Sequence, residues 1–391
     1  MKTKAIEVSS HSGIFLKNIL FATDFSEASQ AALPYAAAIS HRYESQLHIV
    51  HVMSPAGYIV PSEPAGAVTI ESMHRAAIAD ARERMQTLAY HLKTIPHHTY
   101  VREGELWNTL SDFIRTHEID LLVVGTHGRT GAEKLVLGSK AEEILRQAPC
   151  PVLTVGPNLA GRAKLIAIKS ADANLLPVEI SLRQIVYATD FSPESLAAAP
   201  FATSLAQEFQ ARVTLLHVLG KYTDMERRPR PVDLALQRLE KLVPEEASLW
   251  CSPRPAVQFG PPAECILQEA QDSKADLIVL GVRAPGRHLV AATHLPWATA
   301  HKVITQAHCP VLTIPFAAVL QATKEREGFY EFGGMIPSKS SGFRTATRSV
   351  TKVVQRSNSQ LKSAVAPMNS TNNAAELMDT ARKIGPEQKQ R

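Results

Sequence analysis

The sequence predicts an α/β protein: two tandem, doubly wound parallel sheets of five strands each, followed by a disordered tail. Three observations carry this. Short apolar runs ending at Gly, Pro or Asp alternate with stretches of helical spacing, the pattern of strands joined by crossover helices. Blocks of the first part of the chain then return in the same order. ILFATDFS at 19–26 comes back as IVYATDFS at 185–192, and IVHV at 49–52 as LLHV at 215–218, both at an offset of 166 residues. DLLVVG at 120–125 returns as DLIVLG at 276–281, and CPVLT at 150–154 as CPVLT at 309–313. Chance does not place four such blocks in register order, so the chain is an internal duplication. Finally, residues 320–391 are rich in Ser, Thr, Lys, Arg, Asn and Gln and poor in large apolar residues. A segment of that composition cannot bury enough surface to order itself.

The elements follow in order. Residues 18–25 (NILFATDF) read as a buried strand ending at Thr23-Asp24. Ser26 stands as N-cap of a helix beginning with Glu27. Pro34 conflicts with that helix, since it removes a donor and crowds the preceding turn, and is expected at a kink or in an early turn. Residues 47–52 (LHIVHV) form the second strand. A loop through Pro55, Gly57, Pro61, Pro64 and Gly66 follows, then a long helix over residues 69–93. Residues 99–102 form a third strand, and Gly104 leads into a helix with Leu106, Leu110, Phe113 and Ile114 at helical spacing. A fourth strand covers 121–124, a helix starts at Ser139 and stops before Pro149, and Val152–Val155 is the fifth strand.

Chemistry is expected between the fourth strand and the helix after it. Gly125 ends the strand, Gly128 stands three residues on, and nine residues separate Gly128 from Gly138-Ser139. The stretch from Ser139 to Glu142 reads S-x-x-E, which predicts a capping box. Glycines at the carboxyl end of a parallel strand let backbone amides approach an anion closely. The open N–H groups and dipole of the next helix add attraction for phosphate. Any strand-to-helix loop can carry glycines; the coincidence of all these features points to phosphate. Asp24 lies at the carboxyl end of the first strand, where open parallel sheets bind ligands, and is equally placed to cap the next helix.

At Gly125, Gly128, Gly138 and Ser139 the chain resembles the universal stress protein family, whose nucleotide-binding members carry G-x-x-G, nine residues, then G-S or G-T. With the duplication, the resemblance covers nearly all of residues 14–316 and implies two Rossmann-like, adenine nucleotide alpha hydrolase-like domains. It implies a stress-response switch that binds ATP or another adenine nucleotide in the first copy. A nucleotide-independent scaffold and a weak ATP hydrolase are the alternatives. In the family the glycine loop holds phosphates and ribose, which maps onto Gly125, Gly128, Gly138 and Ser139, with Val124 and Lys140 beside them. The adenosine pocket maps onto Ala22, Thr23, Asp24 and Val52. His127 falls where members often carry histidine; it either meets a phosphate or is a neutral loop residue. Magnesium is expected only as a companion of the phosphates. Last strands of two family domains commonly pair, so Val152–Val155 and residues 311–314 are expected to pair within the chain as an internal pseudo-dimer. A further homodimer and a protein partner stay open.

The second copy departs from the motif. Gly281 is present, but the next glycine, Gly286, comes five residues on, the loop is three residues longer, and Trp297-Ala298 takes the place of Gly138-Ser139. A bulky ring there would fill phosphate space, so this copy is expected to keep the fold and lose the usual nucleotide mode. Arg283, Arg287, His288 and His294 could meet another anion or form a solvated basic loop. The expected divisions are 1–160, a linker at 161–180, a degenerate copy at 181–316 and the tail at 317–391.

Composition narrows the function classes. The 391 residues, 45% hydrophobic and 20% charged, suit an ordinary soluble protein. No apolar run approaches the ~18 residues of a membrane span. Lys17 and Asn18 interrupt the apolar patch at 14–21, so a secretory leader is not expected and the cytoplasm is the default. The four cysteines form no C-x-x-C pair, which argues against zinc and a disulfide framework. From residue 317 onward stand 12 Lys/Arg against 6 Asp/Glu, so the net +5 of the chain is a property of its tail. Such a tail can touch acidic surfaces, yet at this density charge more often only solvates it, and nucleic-acid or membrane binding is not expected. His51 and His217 are expected to be buried, hydrogen-bonded structural residues, and adjacent His97 and His98 to face opposite ways, against a shared metal. No Walker A, dinucleotide G-x-G-x-x-G or G-x-S-x-G elbow occurs, and no catalytic or metal-ligating residue is assigned.

Overall fold

The computed structural model describes residues 14–54, 64–92, 94–126, 137–156, 159, 180–220, 230–243, 251–282 and 295–315. The tail, most of the linker, and the loop residues His127 and Gly128 lie outside them. The first copy runs β1 (Asn18–Ala22), α1 (Glu27–Arg42), β2 (Gln46–Met53), α2 (Pro64–Tyr90), β3 (His97–Glu103), α3 (Leu106–Thr116), β4 (Leu121–Gly125), α4 (Ser139–Gln147) and β5 (Val152–Val155). The second runs β6 (Gln184–Ala188), α5 (Pro193–Leu196), α6 (Ala199–Phe209), β7 (Arg212–Leu219), α7 (Arg230–Glu240), β8 (Arg254–Phe259), α8 (Pro262–Asp272), β9 (Leu277–Val282), α9 (Leu295–Gln306) and β10 (Val311–Pro315).

The ten strands form one sheet in the order β3-β2-β1-β4-β5-β10-β9-β6-β7-β8. Each half is parallel, and the halves meet in an antiparallel β5–β10 pair that sets Leu153 opposite Leu312. The expected pairing of the last strands is therefore present. Around the Leu153–Leu312 centre the contacts are reciprocal: the Thr154 hydroxyl donates to the Val311 carbonyl (3.0 Å), and that of Thr313 to Val152 (3.2 Å). Pairing removes two unsatisfied edges from water at once.

Strand residues alternate between two faces. Ile19 and Phe21 join Ile185 and Tyr187 in one core; Leu20 joins Val50, Val186 and Leu216 in the other, and both cores run through both halves. The start of each central strand is held by an acid that the sequence shows only as the first residue of the repeated DLLVVG and DLIVLG blocks. Asp120 Oδ2 accepts from the amides of Lys17 and Asn18 (2.7 and 2.9 Å), and Asp276 Oδ2 from those of Arg183 and Gln184 (2.7 and 3.0 Å).

Pro34 lies inside one continuous helix, past its early turns, and a second local expectation is revised. Helix α1 runs through Pro34 without a break, although in the second copy the equivalent stretch divides into α5 and α6, with Pro200 in the first turn of α6. Pro34 deprives the Gln30 carbonyl of its helical partner, and Gln30 is exposed, so water can replace that bond. The capping box at Ser139 does not form. The N-cap is Gly138, with no side-chain cap hydrogen bond, and Glu142 accepts instead from Arg146 at 2.8–3.0 Å. The i,i+4 ion pair satisfies the carboxylate the box needed, and among the described residues the start of α4 has no side-chain cap.

Candidate nucleotide site

The expected site residues that are described gather at the carboxyl ends of β2, β1 and β4. Between β1 and β4 the strand order reverses direction, which opens a crevice in sheets of this kind. Ala22 is the last residue of β1, paired with Val50 on one side and Val124 on the other. Val52 stands near the end of β2 beside Arg102, and Gly125 closes β4 beside Val155. The Gly138 amide donates to the Thr126 carbonyl (2.9 Å), and Thr126 is tied through its own amide to Val155 (3.0 Å). The start of α4 is thus pinned to the ends of β4 and β5.

The turn after β1 is built by its own side chains. Thr23 Oγ1 accepts from the Phe25 amide (3.0 Å) and lies 3.0 Å from Ser29 Oγ. Asp24 Oδ1 accepts from the Ser26 amide (2.9 Å), and Ser26 caps α1 through the Ser29 amide (3.2 Å). Phe25 adopts φ 61°, a left-handed conformation that is unusual for an aromatic residue. Its ring lies 4.5 Å from that of His51, whose Nδ1 is 2.7 Å from the Thr23 carbonyl oxygen, and the Arg84 guanidinium sits 5.8 Å from its centre.

The second copy reproduces the turn in detail: Phe191 at φ 62°, 4.5 Å from His217, with His217 Nδ1 2.8 Å from the Thr189 carbonyl oxygen and Arg238 3.9 Å over the phenyl ring. Burial works against ionisation of Asp190, but hydrogen bonds from Ser192 and Ser195 outweigh it and hold the carboxyl below its ordinary range. His51 and His217 are hydrogen-bonded, as expected, yet half-buried rather than buried. The arginines gave no signal in the sequence, because a helix residue far along the chain meets the turn only in the folded state.

Two glycines of the loop, Gly125 and Gly138, differ in kind. A Cβ on Gly125 would stand 2.7 Å from the Ser29 nitrogen and 2.8 Å from the Ala28 carbonyl carbon, so α1 crosses β4 too closely for any side chain. Gly281 meets the same crossing even more tightly, with the Glu194 oxygen at 2.0 Å. This glycine serves helix-on-strand packing and persists in both copies. Gly138 has φ −60° and ψ 139°, backbone that any residue adopts. Its place by count is taken by Trp297, and there the structure refines the expectation. Helix α9 begins at Leu295, so Trp297 lies inside the first turn instead of at the cap, with the Arg146 guanidinium 4.9 Å from its ring centre.

Around the start of α4, Ser139 and Lys140 are exposed. Lys140 Nζ lies 3.2 Å from Glu143 and 3.9 Å from Glu105. Glu105 caps α3, accepting from the amides of Asn108 (2.8 Å) and Trp107 (3.1 Å), and these bonds hold its carboxyl below the usual range. Sequence reading missed Glu105; an acid just ahead of a helix was the available signal. A cavity of about 10 Å³ at the β5–β10 junction is lined by Tyr35, Leu153, Leu205, Leu312 and other apolar residues, and has no room for a nucleotide. Among the described residues no group of three or more His, Cys, Asp or Glu side chains could hold a metal. No described helix is long and apolar enough to cross a membrane.

The universal stress protein family model matches residues 16–156 and again residues 181–315. The chain belongs to the universal stress protein family. It carries two copies of the family's domain in tandem. A universal stress protein A homolog of Coxiella burnetii is 34% identical over 145 residues, covering 36% of this chain and 95% of that one. A universal stress protein of Mycolicibacterium smegmatis is 25% identical over 281 residues, 68% of this chain and 87% of its own. Among solved structures, a universal stress protein from Archaeoglobus fulgidus superposes with a TM-score of 0.51 at 15% identity, over 76% of this chain and 98% of that one, a likeness of fold.

Proposed function

We propose that the first copy binds an adenine nucleotide, ATP foremost, as a regulatory switch in a stress response, and that the second copy is mainly structural. One observation carries the reading: Gly138. Its backbone does not require glycine, its helix start has no side-chain cap among the described residues, and in the degenerate copy its counterpart by count, Trp297, falls inside the first turn of α9. An uncapped helix start at the carboxyl edge of a parallel sheet is a ready acceptor of phosphate oxygens. The residues present fit such a ligand. The Ser139 and Lys140 amides and the Ser139 hydroxyl would hold phosphate, with Gly128 and His127 nearby in sequence. Asp24 would accept from ribose hydroxyls, and the backbone at Val52 would face the base, with Ala22, Thr23 and Val124 forming the floor. Gly125 supports the site by letting α1 close on β4. Magnesium, where present, accompanies the phosphates. Occupancy would change which partners the chain contacts.

The scaffold alternative has one observation in its favour: Lys140 is already engaged by Glu143 and Glu105. Calorimetric titration of Mg–ATP into the full chain, beside Gly138→Trp, separates the two. The expected result is one site per chain that disappears in the variant, with unchanged far-ultraviolet circular dichroism. Absence of binding to the unmodified chain refutes the switch and selects the scaffold.

A further inference from the structure

At the amino ends of β2 and β3, away from the nucleotide crevice, the first copy gathers three imidazoles. His48 is buried on β2, directly across from His98 on β3, with ring centroids 5.9 Å apart. His117, the C-cap residue of α3, lies 4.7 Å from His48 by the same measure. The other neighbours are Tyr100, whose hydroxyl is 3.4 Å from His48 Nδ1, and Phe113, stacked on His117 at 4.8 Å. From β1 the register partner of His48 is Leu20, and outside the cluster Arg102 lies 5.3 Å over Tyr100 and 5.8 Å over Phe113. Among the described residues, no carboxylate contacts these three histidines.

The equivalent place in the second copy is filled differently. Thr214 and Arg254 are register partners on β7 and β8, and Arg254 pairs with the buried Glu269 of α8. Glu269 also accepts from Gln258 (2.8 Å), and Gln184 donates to Thr214 (3.0 Å). An ion pair of arginine and carboxylate keeps its charges through the range where histidine titrates.

We infer that the first copy carries an acid-responsive latch: on acidification buried His48, packed against His98 and His117, gains positive charge with no carboxylate beside it among the described residues, and α3 is released from the sheet while α8 stays docked. Burial, and then the charges of His117 and His98, push His48 down to about 4 from its ordinary 6.5. The unfolded chain then binds the proton more readily than the folded one. Stability is therefore level above pH 6.5 and falls as pH drops from 6.5 towards 4. Because Glu105 at the other end of α3 lies 3.9 Å from Lys140, release of α3 would also disturb the start of α4. That consequence, unlike the latch itself, depends on the proposed nucleotide site.

The test is hydrogen exchange of the full chain at pH 7.0, 5.5 and 4.5, corrected for intrinsic rates, comparing peptides of α3 with those of α8. A loss of protection in α3 at least tenfold greater than in α8, removed in His48→Phe/His117→Phe, is expected. His117→Gln serves where the double variant does not fold at pH 7. Equal losses in α3 and α8, or an unchanged acid response in the variants, overturn the latch. So does stabilisation of α3 by Zn²⁺ at pH 7 that the same variants abolish, since the cluster would then be a metal site.

Discussion

Replacing Gly125 by alanine separates packing from ligand binding. The added Cβ would lie 2.7 Å from the Ser29 nitrogen and 2.8 Å from the Ala28 carbonyl carbon, both backbone atoms of the first turn of α1. Ordinary contact needs about 3.5 Å, so the helix start must move by nearly 1 Å. That turn is fixed by Ser26 on the Ser29 amide and by Ser29 Oγ against Thr23, so it cannot yield freely. Overpacking of this kind costs about 1–3 kcal/mol, from which about 0.5 kcal/mol is recovered because alanine restricts the unfolded chain. A net loss of about 1.5 kcal/mol is expected, or roughly 3–6 °C in Tm at about 2–4 °C per kcal/mol. Gly281→Ala, which brings Cβ to 2.0 Å from the Glu194 oxygen and 2.5 Å from the Ser195 Cα, should lose more. Calorimetric melts without nucleotide measure both, and Mg–ATP titration of each variant completes the comparison. If Gly125→Ala melts within 1 °C of the parent but no longer binds nucleotide, the packing argument is wrong and this glycine serves the ligand.

Two further outcomes follow from the junction and the core. Arg42 Nε donates to the Glu208 carbonyl (2.5 Å), lies 3.8 Å from its carboxylate, and sits 5.9 Å from the Phe209 ring centre, while residues 42 and 208 are equivalents in the duplication. Arg42→Glu should cost about 1 kcal/mol in urea unfolding, and Glu208→Arg added to it should restore about half, since the carbonyl bond stays lost; no recovery would mean the pair carries no electrostatic specificity. The four cysteines are buried, and burial raises the thiol of Cys150 to about 12 and that of Cys251 to about 11. A thiol reagent at pH 8 should therefore count fewer than one group within minutes and four after denaturation; fast native labelling would show that the core opens locally.

Much of the fold was legible because apolar alternation and breakers are local. Residues 18–25, 47–52 and 121–124 needed no partner in view to read as strands, and the repeat at 166 residues announced the duplication. The candidate site was legible where residues close in the chain compose it, as at Gly138-Ser139. It was not where geometry decided. The S-x-x-E stretch looked like a capping box, yet Arg146 one turn on takes the Glu142 carboxylate. Counting set Trp297-Ala298 in the place of Gly138-Ser139, yet α9 starts at Leu295, two residues ahead of Trp297.

By itself, then, the sequence determined the alternation of strands and helices and the tandem repeat; the pairing of the last strands and the grouping of Ala22, Thr23 and Val52 with the glycine loop followed from the family resemblance. Tertiary structure alone decided that Gly125 is a packing residue, because only the crossing of α1 over β4 brings backbone to 2.7 Å from its Cβ position. It alone assembled His48, His98 and His117, which stand on three different elements. Local pattern fixes which face a side chain occupies, through the periods of strand and helix. What shares that face is set by the packing of segments distant in sequence, and a single sequence carries no direct record of it.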